Sequence, residues 1–89
     1  MIRNQNFIKR KIGSQYVIVA TGEAAKRFNG MISVNGSGSF IWDHLEKETD
    51  AEELVSAMTE AYDIDAITAR ADIQEFLSSL KEVGAVEGV

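Results

Sequence analysis

The sequence predicts an α+β domain of the winged helix-turn-helix type, in which a three-stranded antiparallel sheet is followed by three helices. In the first third of the chain, the runs 7–12 and 31–34 alternate in side-chain character, which is the two-residue period of a strand. From Asn35 onward, apolar residues recur every three to four positions, which is the period of a helix. A length of 89 residues is typical of one domain, so a single domain is expected over 1–89.

Three short strands are predicted at about 7–12, 15–20 and 30–34. The first, FIKRKI, alternates with a period of two, and the second, QYVIVA, is β-branched and aromatic. A Gly-Ser turn separates them, which is typical of a hairpin. The connection 22–30 is expected to hold one helical turn. In the third strand, alternation places Ile32 and Val34 on one face and Met31 and Ser33 on the other.

Three helices are predicted at about 37–46, 50–61 and 66–83. Thr49 is the expected cap of the second helix, with Glu52 three residues later reaching back to its amide. Asp65 is the expected cap of the third helix, and Gly84 suits its left-handed C-terminal position.

The third helix has three distinct faces on a helical wheel. The predicted core stripe is Ala69, Ile73, Phe76, Leu80 and Val83. One flank, expected to be solvated, is Thr68, Asp72, Glu75, Ser79 and Glu82. The other, a mixed flank, is Ile67, Arg70, Gln74, Leu77 and Lys81. Two interpretations of the mixed flank stay open: long side chains covering the edge of the core, or one wall of a groove for a partner's apolar and acidic side chains.

The composition argues against catalysis and against nucleic acid as a partner. The chain has no cysteine and a single histidine, His44. It therefore lacks the side chains that a nucleophile–base pair or a zinc site requires. No cofactor or metal is therefore expected. The net charge of −5 opposes binding to phosphates. With neither a signal peptide nor a membrane span in the sequence, a cytoplasmic location is expected.

Three stretches of the chain resemble a known family. They are SVNGSGSFIWDHL, TDAEELVSAMTEAYDID and ADIQEFLSSLKEVGAV. In their order and spacing they are similar to the PqqD-like family, also known as the RiPP recognition element after the ribosomally made, post-translationally modified peptides. The resemblance covers about 7–86.

The resemblance implies a non-catalytic peptide-binding domain with the winged helix-turn-helix-like fold. Members of the family bind the leader segment of a precursor peptide and present it to a modifying enzyme, such as a radical SAM enzyme, a cyclodehydratase or a leader peptidase. In the family, the leader lies antiparallel to the third strand, between that strand and the third helix.

Carried onto this chain, the resemblance and the helical wheel together predict a peptide-binding site. Its strand side is Phe28, Asn29, Gly30, Met31, Ile32, Ser33 and Val34. Its helix side is the mixed flank, namely Ile67, Arg70, Gln74, Leu77 and Lys81. Leu77, Met31, Phe28 and the stem of Arg70 are expected to form the pocket, and Arg70 or Lys81 to pair an acidic leader residue. Leu77→Asp is expected to abolish leader capture and to leave the fold intact.

Two other functions remain open at this point. A winged-helix DNA-binding regulator would place the third helix in a major groove, although its acidic flank opposes phosphate. A non-catalytic adaptor would instead form a homodimer through the exposed sheet edge.

Overall fold

The computed structural model describes residues 1–88, which form two small sheets and four helices. The strands are β1 (Ile2–Arg3), β2 (Phe7–Ile12), β3 (Gln15–Ala20), β4 (Met31–Val34) and β5 (Val86–Glu87). The helices are α1 (Gly22–Ala25), α2 (Gly36–His44), α3 (Ala51–Ala61) and α4 (Ala66–Val83). The α+β class with a three-stranded antiparallel sheet is confirmed. The expected helical turn before the third strand is the short α1, so the helices number four instead of three.

The larger sheet has the strand order β2-β3-β4, and both pairs are antiparallel. Ile32 of β4 lies opposite Ile18, which is fully buried, and Val34 lies opposite Tyr16. Ile32 and Val34 are half-buried on the inner face, whereas Met31 and Ser33 are exposed, as the alternation predicts. Within residues 1–88, β4 pairs only with β3, so its other edge is open.

The second sheet joins the two ends of the described chain and was not predicted. β1 and β5 pair antiparallel, with Ile2 opposite Glu87. The Arg3 amide donates to the Leu45 carbonyl at 2.9 Å, and the Asn4 amide donates to the Ala85 carbonyl at 2.8 Å. Strands of two residues are too short to show a period in the sequence, which is why periodicity did not reveal them.

The core lies between the inner face of the larger sheet and the helices α2, α3 and α4. Its largest fully buried side chains are Trp42, Ile18, Ile41, Leu45, Leu54, Met58, Ile73 and Leu80. On α4 the core side includes Leu77, which is 4% exposed, whereas Phe76 is only half-buried. The predicted core stripe is therefore wrong in leaving out Leu77, and two of its members, Phe76 and Val83, are only half-buried and pack against the core. Among residues 1–88, no helix is both long and apolar enough to cross a membrane.

Side chains cap the N-termini of α2, α3 and α4, and one of these caps differs from the prediction. The cap of α3 is Asp50 and not Thr49: Asp50 Oδ1 accepts from the Glu53 amide at 2.8 Å. The predicted role of Glu52 in this cap is also wrong, because its carboxylate contacts α4 instead. Asp65 caps α4 as predicted, accepting from the Thr68 amide at 2.7 Å.

Helix α2 starts one residue earlier than predicted and ends at His44. Asn35 is its cap, and Asn35 Oδ1 accepts from the Gly38 amide at 2.8 Å. This cap connects β4 directly to α2, so the open edge of β4 and the first turn of α2 are neighbours.

Candidate functional site

A cleft of about 250 Å³ lies between β4 and α4 and is bounded by the first turns of α2. We call it the β4–α4 cleft. Its lining residues are Ile32, Ser33, Val34, Asn35, Ser37, Gly38, Ile41, Asp72, Glu75, Phe76 and Ser79. The cleft therefore lies beside a strand whose outer edge has no partner within residues 1–88.

One face of α4 forms the helical wall of the cleft. Asp72, Glu75, Phe76 and Ser79 follow one another at spacings of three, one and three residues, which places all four side chains on one side of a helix. Phe76 is half-buried and the other three are exposed. The wall is therefore an aromatic ring flanked by two carboxylates and a small hydroxyl.

The apolar part of the lining comes from all three elements. Ile32 and Val34 contribute the inner face of β4, Phe76 contributes α4, and Ile41 of α2 is 1% exposed. This surface can receive an apolar side chain from a ligand that lies along β4.

Gly38 permits the close approach of α2 to both walls. A Cβ at this position would lie 3.3 Å from Phe76 Cε1 and 3.4 Å from Val34 Cβ. Because these distances are at or below ordinary contact, a side chain at Gly38 would have to displace Phe76 or Val34.

The charge of the cleft is negative. Within residues 1–88, Asp72 and Glu75 make no ion pair, and no lysine, arginine or histidine lines the cleft. The same described part of the chain has no group of three or more His, Asp or Glu side chains that could hold a metal ion. The cleft therefore offers a ligand the open backbone edge of β4, an apolar surface and two carboxylates.

The structure brings only part of the predicted strand side to the cleft. Ile32, Ser33 and Val34 line it. Met31 is 62% exposed and does not line the cleft. Phe28 is half-buried, with its ring stacked on Phe7 at a centroid distance of 6.4 Å. Asn29 and Gly30 are exposed in the connection before β4.

None of the five residues of the predicted helix side lines the β4–α4 cleft. Leu77 is buried in the core, and Arg70 is bound to Glu52 of α3, with Nη2 donating to Oε2 at 3.2 Å. Ile67, Gln74 and Lys81 are exposed, Ile67 by 83%. The physical reason is that α3 packs beside the mixed flank, which turns the acidic flank toward β4.

The Arg70–Glu52 contact shifts the pKa of both groups. The hydrogen bond from Arg70 and its positive charge lower the pKa of Glu52, and the same contact raises the pKa of Arg70. Both groups are therefore charged at neutral pH and partnered with each other, so Arg70 is not a free cation for a ligand.

The sequence did contain a signal for the missed wall. Phe76 sits at the border between the core stripe and the acidic flank, one turn from Asp72 and close to Ser79. A large aromatic side chain at such a border stays half-exposed when no neighbouring strand or helix fills the space beside its ring. Here that space is the β4–α4 cleft.

Comparison with known proteins places the chain in a family. It is similar to a solved structure described as "TbiB1 in Complex with the TbiA(beta) Leader Peptide", with a TM-score of 0.77 and 25% identity. The similarity covers 100% of this chain and 98% of that chain. No curated protein matches the chain. The family model of coenzyme PQQ synthesis protein D (PqqD) matches residues 15–86, well over half of the chain. The chain therefore belongs to the PqqD-like family that its sequence resembles.

Proposed function

We propose that this chain binds the leader segment of a ribosomally made precursor peptide, which adds antiparallel to β4 and fills the β4–α4 cleft. The observation that carries the proposal is the open edge of β4 beside an apolar cleft. An unpaired edge offers backbone donors and acceptors to an extended peptide. Family membership and the similarity to a protein solved with a leader peptide support the same function.

Backbone pairing with β4 determines how the peptide is aligned and adds little affinity. A strand of four residues offers about four hydrogen bonds along one edge, each contributing about 1 kcal/mol net. Ordering the peptide backbone costs about 1–2 kcal/mol per residue, which offsets that gain. The affinity must therefore come from side chains that enter the cleft.

Apolar anchors are the main source of this affinity. Burying one large apolar side chain contributes roughly 1.5–3 kcal/mol. The surface formed by Ile32, Val34, Ile41 and Phe76 can receive such a side chain. Because side chains of an added strand point alternately toward and away from the cleft, every second peptide residue is available as an anchor.

We infer a carrier role for the domain, without catalysis of its own. The cleft is lined by carboxylates, hydroxyls and apolar groups, and within residues 1–88 no histidine lies there to act as a general base. In this proposal the domain acts in the cytoplasm and presents the bound leader to a modifying enzyme. A radical SAM enzyme, a cyclodehydratase and a leader peptidase are the candidate classes.

The proposal is tested with a matched pair of tryptophan variants on α4. Ser79 lines the cleft, whereas Ser78 is exposed and does not line it. The probe is a fluorescein-labelled leader peptide, taken from a short precursor sought among the genes that neighbour the gene of this chain. We expect Ser79→Trp to weaken binding roughly tenfold or more, because the indole occupies the anchor space, which corresponds to about 1.4 kcal/mol. Ser78→Trp should bind as the wild type does.

Amide hydrogen exchange identifies the edge that is used. Peptide binding should slow the exchange of amides in Met31–Val34. Equal binding by both tryptophan variants, together with protection confined to β2 at the other edge of the sheet, would refute the proposal.

The homodimer remains the second candidate, because an open edge can also pair with another copy of itself. Sedimentation velocity without peptide separates the two functions. A monomer that binds the leader supports the carrier role, whereas a stable dimer that excludes the leader supports the adaptor.

A further inference from the structure

We infer that the β4–α4 cleft selects leader segments in which a lysine or arginine lies two residues from an apolar anchor. This inference rests on the proposed function, and it reverses the acidic ligand expected from the mixed flank of α4. The structural basis is the position of Asp72 and Glu75 on the wall that faces β4.

The two carboxylates are available to a ligand. Both are exposed, neither is ion-paired within residues 1–88, and the lining of the cleft holds no cationic side chain. The neighbouring ion pair of Arg70 is made with Glu52, so that guanidinium is already partnered. A cationic side chain in the cleft therefore meets two negative charges with no competitor among the lining residues.

The spacing of the wall matches the spacing of a strand. Side chains that face the cleft from an added strand are about 7 Å apart, at every second residue. On α4, Asp72 and Phe76 differ by four residues, which is about 6 Å along the helix axis. A peptide whose apolar side chain lies over Phe76 therefore places its next inward-facing side chain close to a carboxylate.

The same geometry disfavours acidic leaders. A glutamate or aspartate at this position would lie against Asp72 and Glu75, where like charges repel. The cleft therefore both attracts one class of peptide and rejects another.

The experiment compares two double variants that lose the same amount of negative charge. Asp72→Asn/Glu75→Gln neutralises the cleft. Glu60→Gln/Glu82→Gln neutralises two exposed residues that do not line it. A phage-displayed random dodecapeptide library is selected against the wild type and both variants. The enriched wild-type peptide is then made with fluorescein, together with forms in which its basic residue is changed to Ala or Glu.

The expected result is enrichment of an apolar-x-Lys/Arg pattern by the wild type and by the surface double variant. The cleft double variant should lose the preference for the basic residue and keep the preference for the apolar one. Changing the basic residue to Ala should weaken wild-type binding roughly fivefold, with a larger loss for Glu. The cleft double variant should not distinguish the three peptides.

Two outcomes overturn the inference, and they separate it from the proposed function. If selected peptides protect the amides of Met31–Val34 but carry no basic preference, the charge selectivity is refuted and the peptide-binding function stands. If both double variants lose the preference for a basic residue equally, that preference comes from the net charge of the domain and not from the cleft. If the selected peptides protect no amide of β4, the binding mode itself is refuted.

Discussion

The guanidinium of Arg70 on α4 and the carboxylate of Glu52 on α3 form a two-fold contact, in which Nη1 donates to Oε1 and Nη2 to Oε2. Paired hydrogen bonds of this kind constrain orientation as well as distance. The contact lies on the side of α4 opposite to the wall of the β4–α4 cleft. With this side of α4 held against α3, the opposite side, which carries Asp72 and Glu75, faces β4.

Arg70→Met should leave peptide affinity unchanged. Methionine keeps the apolar stem of the arginine. The Arg70 guanidinium is already paired with Glu52, and Arg70 does not line the cleft. Because both partners are largely exposed, the urea midpoint should also change little. Fluorescence anisotropy with the labelled leader checks the affinity, with Ser79→Trp as the variant that must weaken it. A large loss of affinity in Arg70→Met would restore the mixed flank as a binding wall.

Leu77→Asp should unfold or strongly destabilise the domain, in contrast to the expectation from the sequence. Leu77 is 4% exposed within the core, so the change creates a cavity and buries a carboxylate without a partner. We expect a loss of about 3 kcal/mol or more in the free energy of unfolding. Urea denaturation followed by far-UV circular dichroism measures it.

Gln74→Asp is the matched control for that experiment, because Gln74 is exposed on the same helix. It should change stability far less. Native-like stability in Leu77→Asp would mean that Leu77 faces solvent and that the position of the core stripe on α4 is different.

Gly38→Val should destabilise the domain and disturb the cleft. The added Cβ would meet Phe76 Cε1 and Asn35 Oδ1, each at 3.3 Å. Overpacking of this kind typically costs about 1–3 kcal/mol. Gly36→Ala is the control, since a Cβ there meets nothing within 4 Å, and replacing glycine in a helix stabilises it by up to about 1 kcal/mol. The midpoint temperature of thermal unfolding should therefore fall in Gly38→Val and rise in Gly36→Ala. A rise in both variants would contradict the close packing at Gly38.

Asp65→Asn should reduce the loss of stability in acid. Hydrogen bonds from the Thr68 backbone and side chain lower the pKa of Asp65 in the folded state. The unfolded carboxyl therefore takes up a proton first as the pH falls. The stability that the charged cap contributes is complete above the ordinary pKa of an aspartate and is lost as the pH falls below it, through the folded pKa.

Asparagine at position 65 still accepts the capping hydrogen bond but does not titrate. The urea midpoint of Asp65→Asn should therefore fall less steeply than that of the wild type between about pH 5 and pH 2. Asp63→Asn is the control, because within residues 1–88 the Asp63 side chain makes no ion pair. Identical acid profiles for the wild type and Asp65→Asn would show that the cap does not couple folding to protonation.

Local signals were sufficient for the main elements of the fold. FIKRKI alternates with the period of a strand, QYVIVA is rich in β-branched residues, and the caps at Asp65 and Gly84 mark the ends of α4. Those signals belong to neighbouring residues, so they are readable without a tertiary structure. The paired termini were missed because β1 and β5 are defined only by residues at opposite ends of the chain.

The sequence by itself determined the strands β2, β3 and β4, the helices α2, α3 and α4, and the family, and it predicted β4 as the strand beside the candidate site. Only the tertiary structure decided which flank of α4 faces that strand. A helical wheel ranks residues by angle around one axis, but two polar flanks border the apolar stripe, and their sequences do not say which neighbour lies on which side. That choice depends on how α3 and α2 pack against α4, and packing brings together residues far apart in the chain, such as Glu52 with Arg70 and Gly38 with Phe76.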